Sequence, residues 1–427
     1  MIKLVSRRVG LAAFLAFAVS AAAPAVHAGD GHHDGDDNRY VVTNLVSDIA
    51  KLGGNVIDPN LKNAWGVTFT PSASPFWISD NAAGLSTLYD GDGTIAGGLL
   101  VVTIPCPPNP PGAGQGSSCP PSPPPTNAAP TGMVWNPTTS LTTGFLVPGT
   151  NPSVAATFIW ATEDGTISAW TGGLQNNKPP LPADNAILAV NNSLNPNAMA
   201  GAVYKGLVAG VNANGVSVTV NGVTGTDFVL LYTTNFRAGT VEVYGPAGSN
   251  GSTTGFYVPV TTDGNFTDAD IPPGYAPFGI QNINGNLFVT YAKQNAAKHD
   301  DVAGEGNGFV DVFDTDGHLL RRFASRGALN SPWGVARASF DFGQFSGDIL
   351  VGNFGDGRIN AFDSDGNFLG QLRDTKGKPI SIDGLWTLTL GGGAKSSPDT
   401  LYFTAGPNGE TDGLFGTITP AQDIDDN

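Results

Sequence analysis

The sequence predicts an all-β protein, a six-bladed β-propeller whose blades each contain four antiparallel strands. A large or apolar residue beside glycine recurs along the chain, at Gly66, Gly132, Gly206, Gly279 and Gly334, and Trp386 marks a degenerate sixth copy. Each copy is followed by short apolar runs that end in Asp, Asn and Gly turns. The 58 glycines and 32 prolines suit many short strands joined by tight turns.

The clearest copy runs from Ser331 to Leu372 and contains four short apolar segments. Trp333–Ala336 forms the first strand, and Asp348–Asn353 forms the second. Arg358–Asp363 alternates polar and apolar residues as a half-buried strand does, and a Ser-Asp-Gly-Asn turn leads into Phe368–Leu372. This stretch therefore predicts one complete antiparallel blade.

The other copies follow the same order, and together they predict a closed ring. Second strands are predicted at Pro75–Asp80, Ala156–Ala161, Phe228–Tyr232, Leu287–Tyr291, Ile349–Val351 and Leu401–Thr404. Third strands are predicted at Ser86–Tyr89, Ile167–Trp170, Val241–Tyr244, Val310–Phe313, Ile359–Phe362 and Leu414–Ile418. The sixth copy ends near Thr419 without a fourth strand, whereas Tyr40–Val46 reads as a strand without a blade. We expect this N-terminal strand to complete blade six and close the ring.

The large residues and glycines of the first strands have two interpretations. Large apolar residues pack neighbouring blades together, and glycine lets the innermost strands crowd the axis. Alternatively, the aromatic residues line one mouth of the channel. Packing is the interpretation that composition favours.

The segments outside the propeller indicate export. Lys3, Arg7 and Arg8 precede an apolar run, and Val26-His27-Ala28 resembles a cleavage site, so residues 1–28 are predicted to be a signal peptide. The sequence does not decide between export by the general secretory route and export by the twin-arginine route. We expect a periplasmic or extracellular protein without a membrane span in its mature form.

The remaining boundaries follow from composition. Residues 29–39 form a polar linker of acidic residues and histidine, residues 40–419 the propeller, and residues 420–427 an acidic tail. A proline-rich insertion occupies residues 105–130 and contains both cysteines, Cys106 and Cys119. An oxidising compartment predicts a disulfide between them, and a pair of free thiols is the alternative.

Charge limits the partners that this protein can have. The formal net charge of -16 excludes nucleic acid and anionic lipid surfaces as partners. We expect a monomer whose ligand is a protein, a glycan or a small molecule. The chain contains no G-x-S-x-G nucleophile motif, no P-loop and no H-E-x-x-H zinc motif.

Polar side chains recur directly after the second strands and before the first strands, which places them on one face of a propeller. Asp80, Glu163, Asn235 and Asn353 are the candidate ligands of Ca²⁺ or another divalent cation, because such ions bind six to eight oxygens. The candidates for the rest of the ligand-binding face are Asn63, Asn81, Arg237, Asn295 and Asn408. The alternative is that these Asn and Asp side chains only cap turns.

Several segments resemble one protein family. They are NLVSD (Asn44–Asp48), NAWGV (Asn63–Val67), SPFWISDNAAGLSTLYDGDG (Ser74–Gly93) and SPWGV (Ser331–Val335). The chain resembles an uncharacterised family of exported bacterial proteins that are predicted to be six-bladed propellers of the NHL type. Some members carry a C-terminal exosortase sorting signal, whereas the tail here has neither a Pro-Glu-Pro motif nor an apolar anchor. The resemblance implies the fold and no established activity.

Three functions fit these observations. The first is a binding or interaction module that uses one propeller face. The second is a metal-dependent hydrolase, comparable in fold alone to six-bladed lactonases and gluconolactonases, with Glu163 or Asp383 as general base. The third, a structural component of an extracellular matrix, rests on the sorted relatives. An enzyme requires charged groups that converge on one point, whereas a binding platform can spread its contacts.

Overall fold

A computed structural model describes residues 38–72, 74–96, 101–107, 128–138, 144–150, 153–172, 185–195, 201–220, 222–252 and 255–421. Within these residues the strands form six antiparallel sheets, which are the six blades of the predicted propeller. The first strand of each blade contacts the first strand of the next blade, and the sixth contacts the first. These contacts close the ring around a central channel, so the predicted fold class is confirmed.

The strands have the following bounds. Before the first blade come β1 (Tyr40–Ser47) and β2 (Val56–Ile57). Blade 1 contains β3 (Ala64–Thr68), β4 (Phe76–Asp80), β5 (Leu85–Tyr89) and β6 (Val102–Thr103), and blade 2 contains β7 (Pro130–Trp135), β8 (Phe158–Thr162), β9 (Thr166–Trp170) and β10 (Ile187–Asn191). Blade 3 contains β11 (Tyr204–Val220), β12 (Val223–Asn235), β13 (Thr240–Gly245) and β14 (Val258–Pro259).

Blade 4 contains β15 (Tyr275–Ile283), β16 (Asn286–Lys293), β17 (Gly308–Phe313) and β18 (Leu319–Ser325), and blade 5 contains β19 (Pro332–Arg337), β20 (Ile349–Asn353), β21 (Ile359–Phe362) and β22 (Phe368–Gln371). Blade 6 contains β23 (Leu385–Leu390), β24 (Leu401–Ala405) and β25 (Leu414–Pro420). In the described part of the chain the helical elements are single turns at Ala50–Leu52 and Gly343–Phe345, and Pro407–Glu410 forms a tight turn between β24 and β25. Among the described residues, no helix is long and apolar enough to cross a bilayer.

The N-terminal strand closes the ring as predicted. Strand β1 pairs antiparallel with β25, from Tyr40 opposite Pro420 to Ser47 opposite Leu414. Strand β2 then adds a short parallel edge to the same sheet. Both ends of the propeller therefore belong to one blade, and unfolding that blade would open the ring.

Glycine in the first strands permits close contact between blades. A Cβ atom built at Gly66 or Gly334 would lie 2.4 Å from a carbonyl oxygen of the next blade, and one built at Gly132 would lie 2.2 Å from the amide nitrogen of Leu207. Real Cβ atoms do not approach backbone this closely, so a side chain does not fit there. The packing interpretation of these glycines therefore describes the structure.

Blades 1 and 3 have irregular outer parts, and several predicted segments lie outside the described residues. Blade 3 carries a hairpin insertion, because β11 and β12 continue outward and pair from Val216 opposite Asp227 to Val220 opposite Val223. In the described residues the fourth strand of blade 1 is the two-residue strand β6. Cys119 lies outside the described residues, as do residues 1–37 and 422–427, so the disulfide, the signal peptide and most of the tail stay predictions.

Candidate functional site

Aromatic side chains fill one end of the channel. The residue before the repeated glycine is Trp65 in blade 1, Phe278 in blade 4 and Trp333 in blade 5, and Trp386 takes this place in blade 6. The rings of Trp65 and Trp386 stack with centroids 3.5 Å apart, and Trp333 meets both of them edge-on. All four belong to one buried cluster, so these rings mainly pack the blades together.

Lys205 occupies the same position in blade 3, and it brings a positive charge into this cluster. Only 2% of the residue is exposed, and its Nζ lies 5.1 Å from the ring centroid of Trp65. The ammonium donates to the Glu163 carboxylate of blade 2 and lies 3.7 Å from Asp300 Oδ1 of blade 4. Three blades thus contribute to one buried group of charges.

Both members of the Lys205–Glu163 pair stay charged near neutral pH. Burial alone lowers the pKa of Lys205, but the negative charges of Glu163 and Asp300 outweigh it and raise that pKa. Burial likewise favours a higher pKa for Glu163, but the positive charge of Lys205 and the contribution of His299 lower it. Burying such a pair costs desolvation energy that the Coulomb attraction between its charges only partly offsets. A gain in stability therefore does not by itself explain why the pair is buried.

A chain of hydrogen bonds connects Glu163 to a second glutamate. The Asn81 amide donates to Glu163 Oε2 at 3.1 Å, and the Asn63 amide donates to Asn81 Oδ1 at 3.2 Å and to Glu410 Oε2 at 2.8 Å. The Trp386 indole donates to Asn63 Oδ1 at 3.0 Å, which fixes the orientation of this amide. Burial raises the pKa of Glu410 to about 7, and the charge of Glu163 adds to the effect.

The turn that carries Glu410 has an unusual backbone. Asn408, Gly409 and Glu410 have φ values of 57°, 65° and 66°, three consecutive left-handed residues between β24 and β25. For a residue with a Cβ this conformation costs about 1–2 kcal/mol. The turn holds Glu410 within hydrogen-bond distance of Asn63, and at functional sites such strain accompanies a positioned side chain.

His299 and Asp300 lie in the loop between β16 and β17. His299 Nδ1 and Asp300 Oδ1 are 2.7 Å apart, and the Asn295 amide donates to Asp300 Oδ2 at 3.2 Å. Although burial acts to raise it, the pKa of Asp300 falls to about 2 because His299 and Lys205 stabilise the carboxylate. Burial lowers the pKa of His299, but its bond to Asp300 and the charge of Glu163 leave that pKa raised.

Three of these side chains could together hold a cation. One ligand atom each from Glu163, His299 and Asp300 lies within 4.8 Å of the others. Carboxylate oxygen and imidazole nitrogen are suitable ligands for divalent transition metals. However, the Lys205 ammonium contacts Glu163 and lies near Asp300. The positive charge of Lys205 therefore already neutralises two of the three candidate ligands.

Asn63, Asn81, Glu163 and Asn295 are brought together by the structure. The first three are joined directly, and Asn295 reaches the group through Asp300. All four were predicted for the binding face from their positions beside the strands. These contacts place one side of the predicted face around the Glu163–Lys205 pair.

The other three candidate metal ligands have different surroundings. The Asp80 carboxyl is fully buried, and burial together with the nearby Asp58 raises its pKa well above the usual range. The Asn235 amide donates to Glu242 Oε1 at 2.6 Å, and the Asn353 amide donates to the Ala328 carbonyl at 2.8 Å. Glu163 is therefore the member of the set that joins the charged group, through its ion pair with Lys205.

The remaining predicted residues support local backbone. Arg237 donates from Nη1 to the Gly201 carbonyl at 2.9 Å. Asp383 Oδ2 accepts a hydrogen bond from the backbone N–H of Asn408 at 2.8 Å, and the Asn408 side-chain amide donates to Asp412 Oδ2 at 2.7 Å. The last two contacts brace the turn that carries Glu410.

Sequence reasoning missed Lys205, His299, Asp300 and Glu410. Lys205 had a usable signal, because an alignment of the six copies places it where three other blades have tryptophan. His299 and Asp300 lie in a loop of blade 4 that has no repeat to align. Glu410 follows its strand by five residues, farther than the other candidates, so the strand pattern gave no reason to select it.

The comparisons with known proteins identify relatives of unknown function. No protein-family profile matches the chain. Uncharacterized protein R648 of Acanthamoeba polyphaga mimivirus is 29% identical over 388 residues, which cover 90% of this chain and 80% of that protein. Two further mimivirus proteins, L690 and R640, are 39% and 30% identical, and the chain spans less than half the length of each. These relatives are viral, so the expected family of exported bacterial proteins stays without support.

Solved structures are similar to this chain at low sequence identity. A gluconolactonase from Xanthomonas campestris is similar with a TM-score of 0.44 and 13% identity, over 85% of this chain and 87% of that chain. A catalytically inactive virginiamycin B lyase from Staphylococcus aureus, solved with quinupristin, has a TM-score of 0.42 and 13% identity, over 90% of this chain and 99% of that chain. A calcium-binding regucalcin from Agrobacterium tumefaciens has a TM-score of 0.36 and 12% identity, over 85% of this chain and 92% of that chain. These proteins differ in activity, so the likeness assigns neither a reaction nor a ligand to this chain.

Proposed function

We propose that the protein is a hydrolase of small esters or lactones, with its active site at the channel end that holds Lys205 and Glu410. The observation that supports this proposal is the convergence of Glu163, Lys205, Asp300 and Glu410, contributed by blades 2, 3, 4 and 6. Charged groups gathered at one point favour an enzyme over a platform with dispersed contacts.

Glu410 is the general base of this proposal. A base is most effective when its pKa lies near the working pH, and the pKa of Glu410 is about 7. Its carboxylate takes a proton from water as the water oxygen attacks the ester carbonyl. The C–O bond to the leaving alkoxide then breaks, and the Glu410 carboxylic acid returns the proton to that alkoxide.

Lys205 supplies fixed positive charge below the reacting carbonyl. Negative charge develops on the carbonyl oxygen during attack, and a nearby ammonium stabilises it more strongly in a buried site than in water. Glu163 holds this ammonium, and its lowered pKa makes it a weaker base than Glu410. Asp383 acts through the Asn408 turn, so in this proposal Glu163 and Asp383 are positioning residues.

Replacement of Glu410 by glutamine is expected to lower kcat by at least about 100-fold, since general base catalysis contributes at least that much. Gln accepts the same hydrogen bond from Asn63 and cannot take a proton. The wild type should gain activity as pH rises through about 7, because the base must be deprotonated, and this rise should be absent from Glu410→Gln. The measurement is turnover of aliphatic lactones and p-nitrophenyl esters between pH 5 and 9.

Glu305→Gln is the matched control, because Glu305 is exposed in the same loop region as His299. Its kcat and pH profile should equal those of the wild type. Absence of turnover of every ester and lactone, or an unchanged kcat in Glu410→Gln, contradicts the proposal. The binding-module hypothesis, which uses the same face, would then replace it.

The Glu163, His299 and Asp300 group supports a second candidate, hydrolysis assisted by a divalent cation. These residues would hold the ion, which would polarise the ester carbonyl or lower the pKa of bound water. The obstacle is Lys205, because two positive charges in one buried site repel each other strongly. Cation binding therefore requires the ammonium to leave or to lose its proton.

Thermal unfolding separates the two candidates. We expect excess chelator, Ca²⁺ and Mn²⁺ each to leave the Tm of the wild type unchanged, since Lys205 neutralises the carboxylates. In Lys205→Ala the ammonium is gone, and Mn²⁺ should raise Tm by several degrees, because a ligand at 100 times its Kd stabilises by about 2.7 kcal/mol. A clear rise of the wild-type Tm with either ion would instead support the cation-assisted candidate.

A further inference from the structure

The opposite end of the channel opens into a separate cavity of about 570 Å³. Its walls come from the ends of β15, β19 and β23 and from the loops that follow them in blades 4, 5 and 6. The cavity shares Gln281, Val335 and Leu388 with the narrow interior of the channel. It shares no residue with the group around Lys205, so it is a separate feature of the channel.

Polar groups of several kinds line this cavity. Gln281 and Asn284 provide amides, Asp341 and Asp399 provide carboxylates, and Arg337 provides a guanidinium. The Ser339 hydroxyl is buried at the wall and has no hydrogen-bond partner among the described residues. A buried hydroxyl without a partner costs free energy, so it is a place where a ligand hydroxyl or a bound water would be stabilised.

One exposed aromatic ring faces the same space. Phe340 lines the cavity and is 80% exposed, the highest exposure among the large hydrophobic residues of the described chain. The Arg337 guanidinium lies 5.6 Å from the ring centroid, and its Nε donates to the Gly347 carbonyl at 3.1 Å. The loop is thereby braced, and the ring remains in solvent.

These features restrict the chemistry of the ligand. Two carboxylates outnumber one guanidinium, which disfavours an anion. The amides and carboxylates disfavour a purely apolar ligand, because they would lose their water without gaining a hydrogen bond. Hydroxyl groups both donate and accept, so they match amides, carboxylates and Arg together. A ring with an apolar C–H face can in addition lie against Phe340.

We propose that this cavity binds a neutral oligosaccharide. A sugar presents hydroxyl groups at its edges and apolar C–H groups on its faces, which matches the polar walls and the exposed ring. The volume falls within the range of about 300–1,000 Å³ that is typical of ligand sites. The proposal does not depend on ester or lactone hydrolysis, since the two sites lie at opposite ends of the channel.

The test is calorimetric titration of the full chain with four probes: cello-, xylo-, malto- and chito-oligosaccharides. At least one should bind with a Kd below about 1 mM, which corresponds to about 4 kcal/mol. Phe340→Ala should weaken that binding at least about tenfold, a loss of about 1.4 kcal/mol. Because Phe340 is so exposed, this variant should keep the wild-type Tm.

Two control variants show whether the sugar binds in this cavity or elsewhere on the protein. Phe228→Ala removes an exposed aromatic ring from the hairpin of blade 3, and it should leave the Kd unchanged. Glu410→Gln should also leave the Kd unchanged, so failure of the proposed hydrolase and failure of sugar binding give different results. The proposal is overturned if no probe binds with a Kd below about 1 mM, or if Phe340→Ala binds the sugar as the wild type does.

Discussion

Replacement of Lys205 by methionine is expected to lower the free energy of unfolding by about 3–5 kcal/mol, the cost of removing one partner of a buried ion pair. The Glu163 carboxylate would remain buried beside the aromatic cluster without its ammonium. Equilibrium urea unfolding at pH 7.5 measures this loss. Lys376→Met, which removes an exposed lysine from the loop after β22, should change the free energy of unfolding by less than about 0.5 kcal/mol.

The loss of stability in Lys205→Met should depend on pH and on the charge of Glu163. In the wild type the pKa of Glu163 is lowered by Lys205, so this stabilisation is present above the ordinary carboxyl pKa and is lost as pH falls. In Lys205→Met the buried Glu163 carboxylate can take a proton. The difference in free energy of unfolding between the wild type and this variant should therefore become smaller toward pH 4. Adding Glu163→Gln to Lys205→Met should recover at least half of the loss. A double variant as unstable as the sum of the single variants would show that the two residues act independently.

Replacement of Gly132 by alanine is expected to destabilise the propeller by about 3 kcal/mol or more, at the upper end for overpacked sites. The new Cβ would lie 2.2 Å from the Leu207 amide nitrogen and 2.6 Å from the Gly206 carbonyl carbon. Both atoms belong to the backbone of the next blade, so neither can move without shifting β11. Urea unfolding and the yield of folded protein measure the outcome.

Gly172→Ala is the control for this substitution. Gly172 lies just after β9, and of the residues that the structure describes a new Cβ there would meet only the Trp170 ring, at an ordinary distance of 3.7 Å. We expect a change in the free energy of unfolding of less than about 0.5 kcal/mol. Equal stability of Gly132→Ala and Gly172→Ala would contradict the role of glycine in blade contact.

Much of the fold could be predicted because the signal is repeated. The same order of strands and turns occurs in successive copies, so errors in one copy are corrected by the others. The lone strand at Tyr40 and the incomplete sixth copy predicted the pairing of β1 with β25, since an unpaired edge on either side would be unfavourable. The outermost strands were less predictable, because short edge strands such as β6 and β14 have little sequence pattern.

The candidate site was predictable only where it follows the repeat. Asn63, Asn81 and Glu163 stand at repeated positions, and their hydrogen bonds join them as neighbours on one face. Asp80 and Asn81 are adjacent in sequence, yet Asp80 is the last residue of β4 whereas Asn81 begins the turn that follows it. Asp80 therefore lies buried near Asp58, whereas Asn81 reaches Glu163.

The sequence by itself determined the architecture of this protein: the number of blades, the order of strands and the closure of the ring. These features depend on local patterns of apolar residues and turns, which are written in neighbouring positions of the chain. Only the tertiary structure decided which charges meet, since Glu163, Lys205, Asp300 and Glu410 come from four different blades. Their pKa values depend on burial and on distances across the channel, and neither quantity exists until the ring has closed.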